Sequence, residues 1–156
     1  MDRHEQIIDL KRANSFLEQY VDLRNQYCEQ LLTQPVGIEE TKQWLKGTGI
    51  EVIGISREGL LSGVAILYLH RDGEIAFFVK KQKHGTGSRL LKMIERVARD
   101  KKIGSIWGWV LDDNIGAKKA FIKQGYILEK EMNRNDKGVM KRGIIFRKLI
   151  QPEEER

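Results

Sequence analysis

The chain has 156 residues, 40% hydrophobic and 32% charged, with a formal net charge of +6. That length suits one globular domain with its own core, and no apolar run approaches the ~20 residues needed to cross a membrane. A single cysteine, Cys28, excludes an internal disulfide, and three scattered histidines give no metal-ligand spacing. The opening MDRHEQIIDLKR has no apolar secretory segment, so the expected location is the cytoplasm, with no membrane partner. The positive charge favours anionic ligands without choosing among them.

In chain order, residues 13–33 place apolar side chains at helical spacing, among them Tyr20, Leu23, Tyr27 and Leu31, with Asn14 or Ser15 near the start. Pro35 and Gly37 break that helix, and 37–45 reads as a second one stopped by Gly47 and Gly49. The period then shortens. Residues 51–56 and 60–69 read as strands joined by an Arg57-Glu58-Gly59 turn, and Arg71-Asp72-Gly73 turns into a third strand, Glu74–Val79.

The segment 88–99 has one apolar face, at 90, 91, 94, 97 and 98. Residues 103–110 read as a strand in which Trp107 and Trp109 share a face, taken as core. Asp112, Asp113 or Asn114 can cap a helix that runs to Gln124 and stops at Gly125. Residues 126–132 and 143–149 read as a final strand pair joined through the polar loop NRNDKG, and 151–156 as a solvated tail. With no linker or repeat, the expectation is one domain over 1–156: an α/β or α+β fold, a mixed sheet with helices against it.

The stretch between the third strand and the next helix carries the chemistry. Gly85 and Gly87 allow backbone angles closed to other residues, and a helix starting near Gly87 or Ser88 leaves its first amides free. With the helix dipole this makes a phosphate cradle, ringed by Lys80, Lys81, Lys83 and Arg89. A plain strand–turn–helix connection remains the alternative. The turn is neither a Walker A loop nor a dinucleotide fingerprint, since Leu90 stands where a third glycine belongs.

Gln82-Lys83-His84-Gly85-Thr86-Gly87 resembles the acetyl-CoA signature [QR]xxGx[GA] of the GCN5-related N-acetyltransferase (GNAT) family. Residues 109–126, WVLDDNIGAKKAFIKQGY, are similar to that family's second hallmark: Asn114, Ala117 three residues on, Phe121 seven on, then Gly125-Tyr126. The resemblance covers about 50–149 and implies a mostly antiparallel sheet with one splayed parallel strand pair, and acetyl-CoA as cofactor. It also implies that the amides of His84, Gly85, Thr86, Gly87 and Ser88 grip the CoA pyrophosphate, that Gln82 and Lys83 bind the cofactor beside them, and that Arg89 and the nearby lysines reach other phosphates. Backbone near Phe78 or Val79 would hold the acetyl carbonyl, Asn114 would be a catalytic candidate near the pantetheine arm, and Phe121 would contact the cofactor. Glu74, opening the strand before the turn, is the expected general base, with His70 and Asp72 as rivals. Phe121 stands where many relatives carry a tyrosine that protonates the departing thiolate. Either solvent supplies that proton, or Tyr126 or another hydroxyl does, or catalysis is poor. Cys28 has no identifiable base and reads as structural.

The family's acceptor site is built from the N-terminal helices and the last strand pair. Here Arg24, Asn25 and Trp44 are similar to the pattern of subgroups that acetylate amino-sugar nucleotides or ribosomal protein N-termini. Arg24, Lys42 and Lys46 could meet acceptor phosphates. The acceptor is therefore expected to be a small-molecule amine, an amino-sugar nucleotide first, with a protein N-terminus or lysine as the alternative. A noncatalytic CoA-binding or RNA-binding module is the rival reading. No nucleic-acid partner is expected, because the aromatic pairs lack flanking basic and glycine positions. Monomer and homodimer both stay open.

Overall fold

The computed structural model describes residues 5–80 and 85–152. The chain enters through β1 (Glu5–Asp9) and a 3-10 turn at Asn14–Phe16, followed by α1 (Leu17–Gln26), α2 (Cys28–Leu31) and α3 (Ile38–Leu45). Three antiparallel strands follow: β2 (Ile50–Arg57), β3 (Leu60–Tyr68) and β4 (Glu74–Val79). Then come α4 (Thr86–Asp100), β5 (Ser105–Leu111), α5 (Ile115–Lys123) and β6 (Ile127–Glu131). A small hairpin, β7 (Arg134–Asp136) with β8 (Val139–Lys141), precedes the last strand, β9 (Gly143–Leu149).

Seven strands form one sheet in the order β1-β2-β3-β4-β5-β9-β6. Every neighbour is antiparallel except β4 and β5, which run parallel and share one register pair, Glu74 with Trp107. Side chains alternate across the pleat, so each face acquires its own core. On one face Leu90, Leu91, Ile94 and Ala98 of α4, all fully buried, pack against Ile55, Leu67, Ile75 and Ile106. On the other, Tyr20, Val21 and Leu23 of α1 cover Val52, Val64, Ile66 and Phe78. Each such aliphatic side chain contributes about 1.5–3 kcal/mol relative to exposure, so the sheet is a rigid floor for whatever lies on it.

The structure corrects the sequence reading at four places. The fold begins with a strand rather than a helix: β1 pairs with β2, and its buried Glu5 meets Arg57 at 3.1 Å and Arg89 at 2.5 Å. The first helix is broken at Tyr27 and ends at Leu32, whose φ of 53° is left-handed. The polar loop after β6 folds as the β7–β8 hairpin. Trp107 and Trp109 are half-exposed, because the core side of β5 is the one with Ile106, Gly108 and Val110. The ring of Phe121 fills the space beside Gly108, where an added Cβ would lie 2.5 Å from its Cζ. Of the expected tail, Gln151 and Pro152 are exposed, and the remainder lies outside the described residues.

Candidate active site

The parallel pair opens as it runs. Trp107 N–H donates to the Gly73 carbonyl at 3.1 Å, and beyond the Glu74–Trp107 pair no register pair joins β4 to β5. Lys80 N–H donates to Ser62 at 2.8 Å, which sets the phase of the β3–β4 ladder. In an antiparallel pair the bonded residues alternate, so Ala76 and Phe78 bond to β3, while the N–H and C=O groups of Ile75, Phe77 and Val79 turn toward the wedge. The Phe78 amide, expected to face an acetyl group, is therefore used in the ladder. Phe77 takes its place beside Val79.

The wedge is lined by Phe77, Phe78, Val79, Trp109, Val110 and Leu111 of the two strands, and by Asn114, Ala117 and Phe121. Counting its open mouth it holds about 580 Å³ of empty space. The Asn114 side chain accepts from Ala117 N–H at 3.2 Å, so it caps α5 while facing the wedge. At one end the wedge meets a groove formed by Gly85, Thr86, Gly87 and Ser88 on one wall and Gly116, Lys119, Ala120 and Lys123 on the other. Gly85 sits at φ 71°, the left-handed region where glycine is favoured, and begins α4. A Cβ on Gly87 would lie 3.1 Å from the Phe77 ring. Free amides at the start of α4, with two lysines opposite, can hold an anion.

On the sheet face opposite α4 and α5, the same seam carries Glu74 and Phe78 of β4 and both tryptophans of β5. Helix α1 packs against β4 beside this trough, and Arg134 of the β7–β8 hairpin reaches over its β5 side. Glu74 is nearly buried; its carboxylate accepts from Arg134 at 3.1 Å and meets Arg71 at 3.5 Å. The Arg134 guanidinium lies 5.1 Å from the Trp109 ring centre and 5.7 Å from that of Trp107. Both indole N–H groups are fixed to backbone, Trp107 to Arg71 at 3.1 Å and Trp109 to Met132 at 2.6 Å.

A splayed parallel pair in an otherwise antiparallel sheet, with a glycine-opened helix at its mouth, matches a known family. The model of the acetyltransferase (GNAT) family matches residues 15–126. The chain belongs to the GNAT family. It is thereby an acetyl-CoA-dependent N-acetyltransferase. No curated protein matches its sequence. Among solved structures it is similar to a ribosomal-protein-alanine N-acetyltransferase from Brucella melitensis, with TM-score 0.81 and 19% identity over 92% of this chain and 99% of that one. It is also similar to yncA from Salmonella typhimurium, solved with its cofactor acetyl-CoA (TM-score 0.84, 13% identity, 98% of each chain). A spermidine N-acetyltransferase from Vibrio cholerae, solved with CoA and spermine, follows at TM-score 0.77 and 13% identity, covering 96% of this chain and 97% of that one. At these identities the likenesses concern the fold alone.

Within this GNAT frame the remaining candidates sort by what they touch. Gln82, Lys83 and His84 lie outside the described residues. Arg89 pairs with Glu5 at 2.5 Å while its guanidinium stays at the edge of the groove, 3.5 Å from the Thr86 hydroxyl. His70 packs over Gly49, and Asp72 is an exposed turn residue 3.9 Å from Arg147, so neither reaches the wedge. Asn25 is used as a clamp: its side chain donates to the Val36 carbonyl and accepts from the Val36 N–H, both at 3.0 Å. Arg24 donates to the Gln34 carbonyl at 3.1 Å, and Trp44 stacks on Tyr20 at 6.2 Å. The Cys28 thiol lies 3.9 Å from the Arg24 carbonyl oxygen, and among the described residues no basic side chain is bonded to it.

Tyr126 is also removed from the wedge. Its buried hydroxyl donates to Glu95 at 3.2 Å, and burial, reinforced by that carboxylate, pushes its ionisation far above the usual tyrosine value. Besides Arg134, sequence reasoning missed two features of the site. Lys119 and Lys123 reach the groove from α5. Tyr27 lines the wedge, its ring stacked on Phe78 and its hydroxyl donating to the Val79 carbonyl. Burial raises its ionisation as well, so at neutral pH it is a donor. A helical pattern gives Tyr27 no mark beyond an apolar position.

Proposed function

We propose that the chain transfers acetyl from acetyl-CoA to the primary amine of an amino-sugar nucleotide. Acetyl-CoA supplies an activated acyl thioester. The residues present fit it: the start of α4 with Lys119 and Lys123 suits its phosphates, the wedge suits the pantetheine arm, and the Phe77 and Val79 N–H groups offer bonds to a carbonyl. Asn114 and Phe121 line the arm's path. An attacking amine must lose a proton, and Glu74 is the carboxylate nearest the seam that can take it, directly or through water. Tyr27 lines the wedge, and by leaving its bond to the Val79 carbonyl its hydroxyl can donate to the departing thiolate in place of the tyrosine absent at Phe121.

The acceptor class rests on one observation: the trough around Glu74 presents two guanidiniums and two indole rings. Guanidiniums pair with phosphate, and ring faces suit sugars and bases. A polyamine would meet like charge there and across a chain carrying +6. The test is purified protein with acetyl-CoA and a panel of amino-sugar nucleotides, polyamines, amino acids and N-terminal peptides, read by thiol release and product mass. One acetyl added to an amino-sugar nucleotide is the expected result. Acetylation of the peptides or polyamines instead would replace this acceptor.

A further inference from the structure

A second pocket opens on the α1–α3 face, beside the trough but separate from the wedge and its groove. Its walls are Tyr20, Arg24, Thr41, Trp44, Tyr68 and Arg71, with the exposed Glu40 at its rim. Tyr20 is fully buried, and its hydroxyl has no hydrogen-bond partner among the described residues. A buried phenol left so is destabilising, and such a group calls for an explanation: an ordered water, a bound ion or ligand, or a functional role. Thr41 is not in the same position, since its hydroxyl donates to the Gly37 carbonyl at 2.8 Å. The Arg71 guanidinium lies 4.2 Å from the Tyr68 ring centre, and Tyr20 carries Trp44 stacked on its ring.

We propose that this pocket is a phosphate-binding subsite that holds the diphosphate of a nucleoside-diphosphate-linked acceptor. Two guanidiniums line it, and Tyr20, whose hydroxyl is orphaned, forms part of its wall, a donor-rich lining that suits an anion with many acceptor oxygens. Burial raises the ionisation of both Tyr20 and Tyr68, so each phenol keeps its proton at neutral pH and remains a donor. Among the described residues Glu40 is the one carboxylate lining the pocket; being exposed, it can turn to solvent or accept from a ribose hydroxyl. Arg71 joins the two sites, because the guanidinium that lies on Tyr68 also meets Glu74 at 3.5 Å. A ligand with its diphosphate here reaches across Arg71 toward the carboxylate assigned to the amine. The cofactor's own phosphates have their place on the opposite face of the sheet, at the start of α4.

The assignment of the pocket to the acceptor rests on the acetyl-transfer reading above, so the test is one of binding rather than turnover. Protein saturated with CoA, which fills the cofactor groove, is titrated in a calorimeter with uridine diphosphate, inorganic pyrophosphate and uridine. Uridine diphosphate and pyrophosphate are expected to bind, and uridine at least about tenfold more weakly than the diphosphate. Arg24→Gln and Arg71→Gln should each weaken uridine diphosphate about tenfold or more. Tyr20→Phe should weaken it about three- to tenfold while raising the thermal midpoint, because the orphaned hydroxyl is gone. Binding abolished by CoA, or equal affinity in parent and all three variants, would overturn the subsite. A lower thermal midpoint for Tyr20→Phe with unchanged affinity would also overturn it, by giving the hydroxyl a water partner instead. An amine panel without turnover leaves this binding result standing, and absent binding leaves acetyl transfer to other amines standing.

Discussion

Replacing Glu74 with glutamine separates a base from a brace. The carboxylate is nearly buried and holds Arg134 at 3.1 Å and Arg71 at 3.5 Å. An amide keeps the shape and one acceptor oxygen but loses the charge, so both guanidiniums lose their counter-ion. Hydrogen bonds to charged groups contribute about 1.5–3 kcal/mol. The retained acceptor and the partial exposure of both arginines reduce the expected loss to about 1–2 kcal/mol, a fall of about 2–8 °C in thermal midpoint for a chain of this size. If Glu74 accepts the amine proton, kcat should fall about 10²–10⁴-fold with CoA affinity within about threefold of the parent. If it only holds Arg134 over the indoles, Arg134→Gln alone should produce the same loss, and the double variant should add nothing. Steady-state rates of Glu74→Gln, Arg134→Gln and the pair between about pH 6 and 9 decide the matter. Rates for Glu74→Gln within threefold of the parent across that range would remove Glu74 from the chemistry.

Gly87→Glu should weaken CoA binding about 100-fold or more, since it puts a carboxylate among the first amides of α4 and presses on Phe77; calorimetry giving an unchanged CoA affinity would move the phosphate site elsewhere. The helix itself should survive, because an acidic group in its first turn suits the dipole. Phe121→Tyr should cost about 1–3 kcal/mol in urea unfolding and bring no gain in rate, as the ring is 2% exposed with its Cζ against Gly108. A rate gain of tenfold or more at parental stability would show that the hydroxyl has room and a task. Tyr27→Phe should lower kcat about tenfold with CoA affinity nearly unchanged, the loss of one donor at the wedge; an equal fall in affinity and rate in binding and turnover assays would make Tyr27 a binding residue instead.

The elements legible in the sequence were those whose cause is local. The bounds of β4 and β9 follow from short apolar runs set between clear turns, and α4 from its apolar stripe behind Gly85. β1 was hidden because its buried end is a glutamate, and only the folded chain brings Arg57 and Arg89 to it. Alternation shows that Trp107 and Trp109 share a face, but not which face a helix will cover. Gly108 decides this, by leaving room for a ring that arrives from α5. At the site, the glycine turn, Glu74 and Asn114 carry local signatures. Tyr27, Arg134 and the lysines of α5 do not, since each reaches the seam from an element remote in sequence.

The indoles on the seam also give the molecule an optical probe of its own. All three tryptophans border a place where a ligand is expected: Trp109 lines the wedge, Trp107 and Trp109 lie beneath Arg134, and Trp44 walls the second pocket. A ligand that shifts Arg134 changes the charge and solvent around two fluorophores whose N–H bonds hold them still. A ligand in the other pocket is seen by the third. Occupancy of each can thus be followed by emission from the unlabelled protein, and substitution of one tryptophan at a time separates the signals.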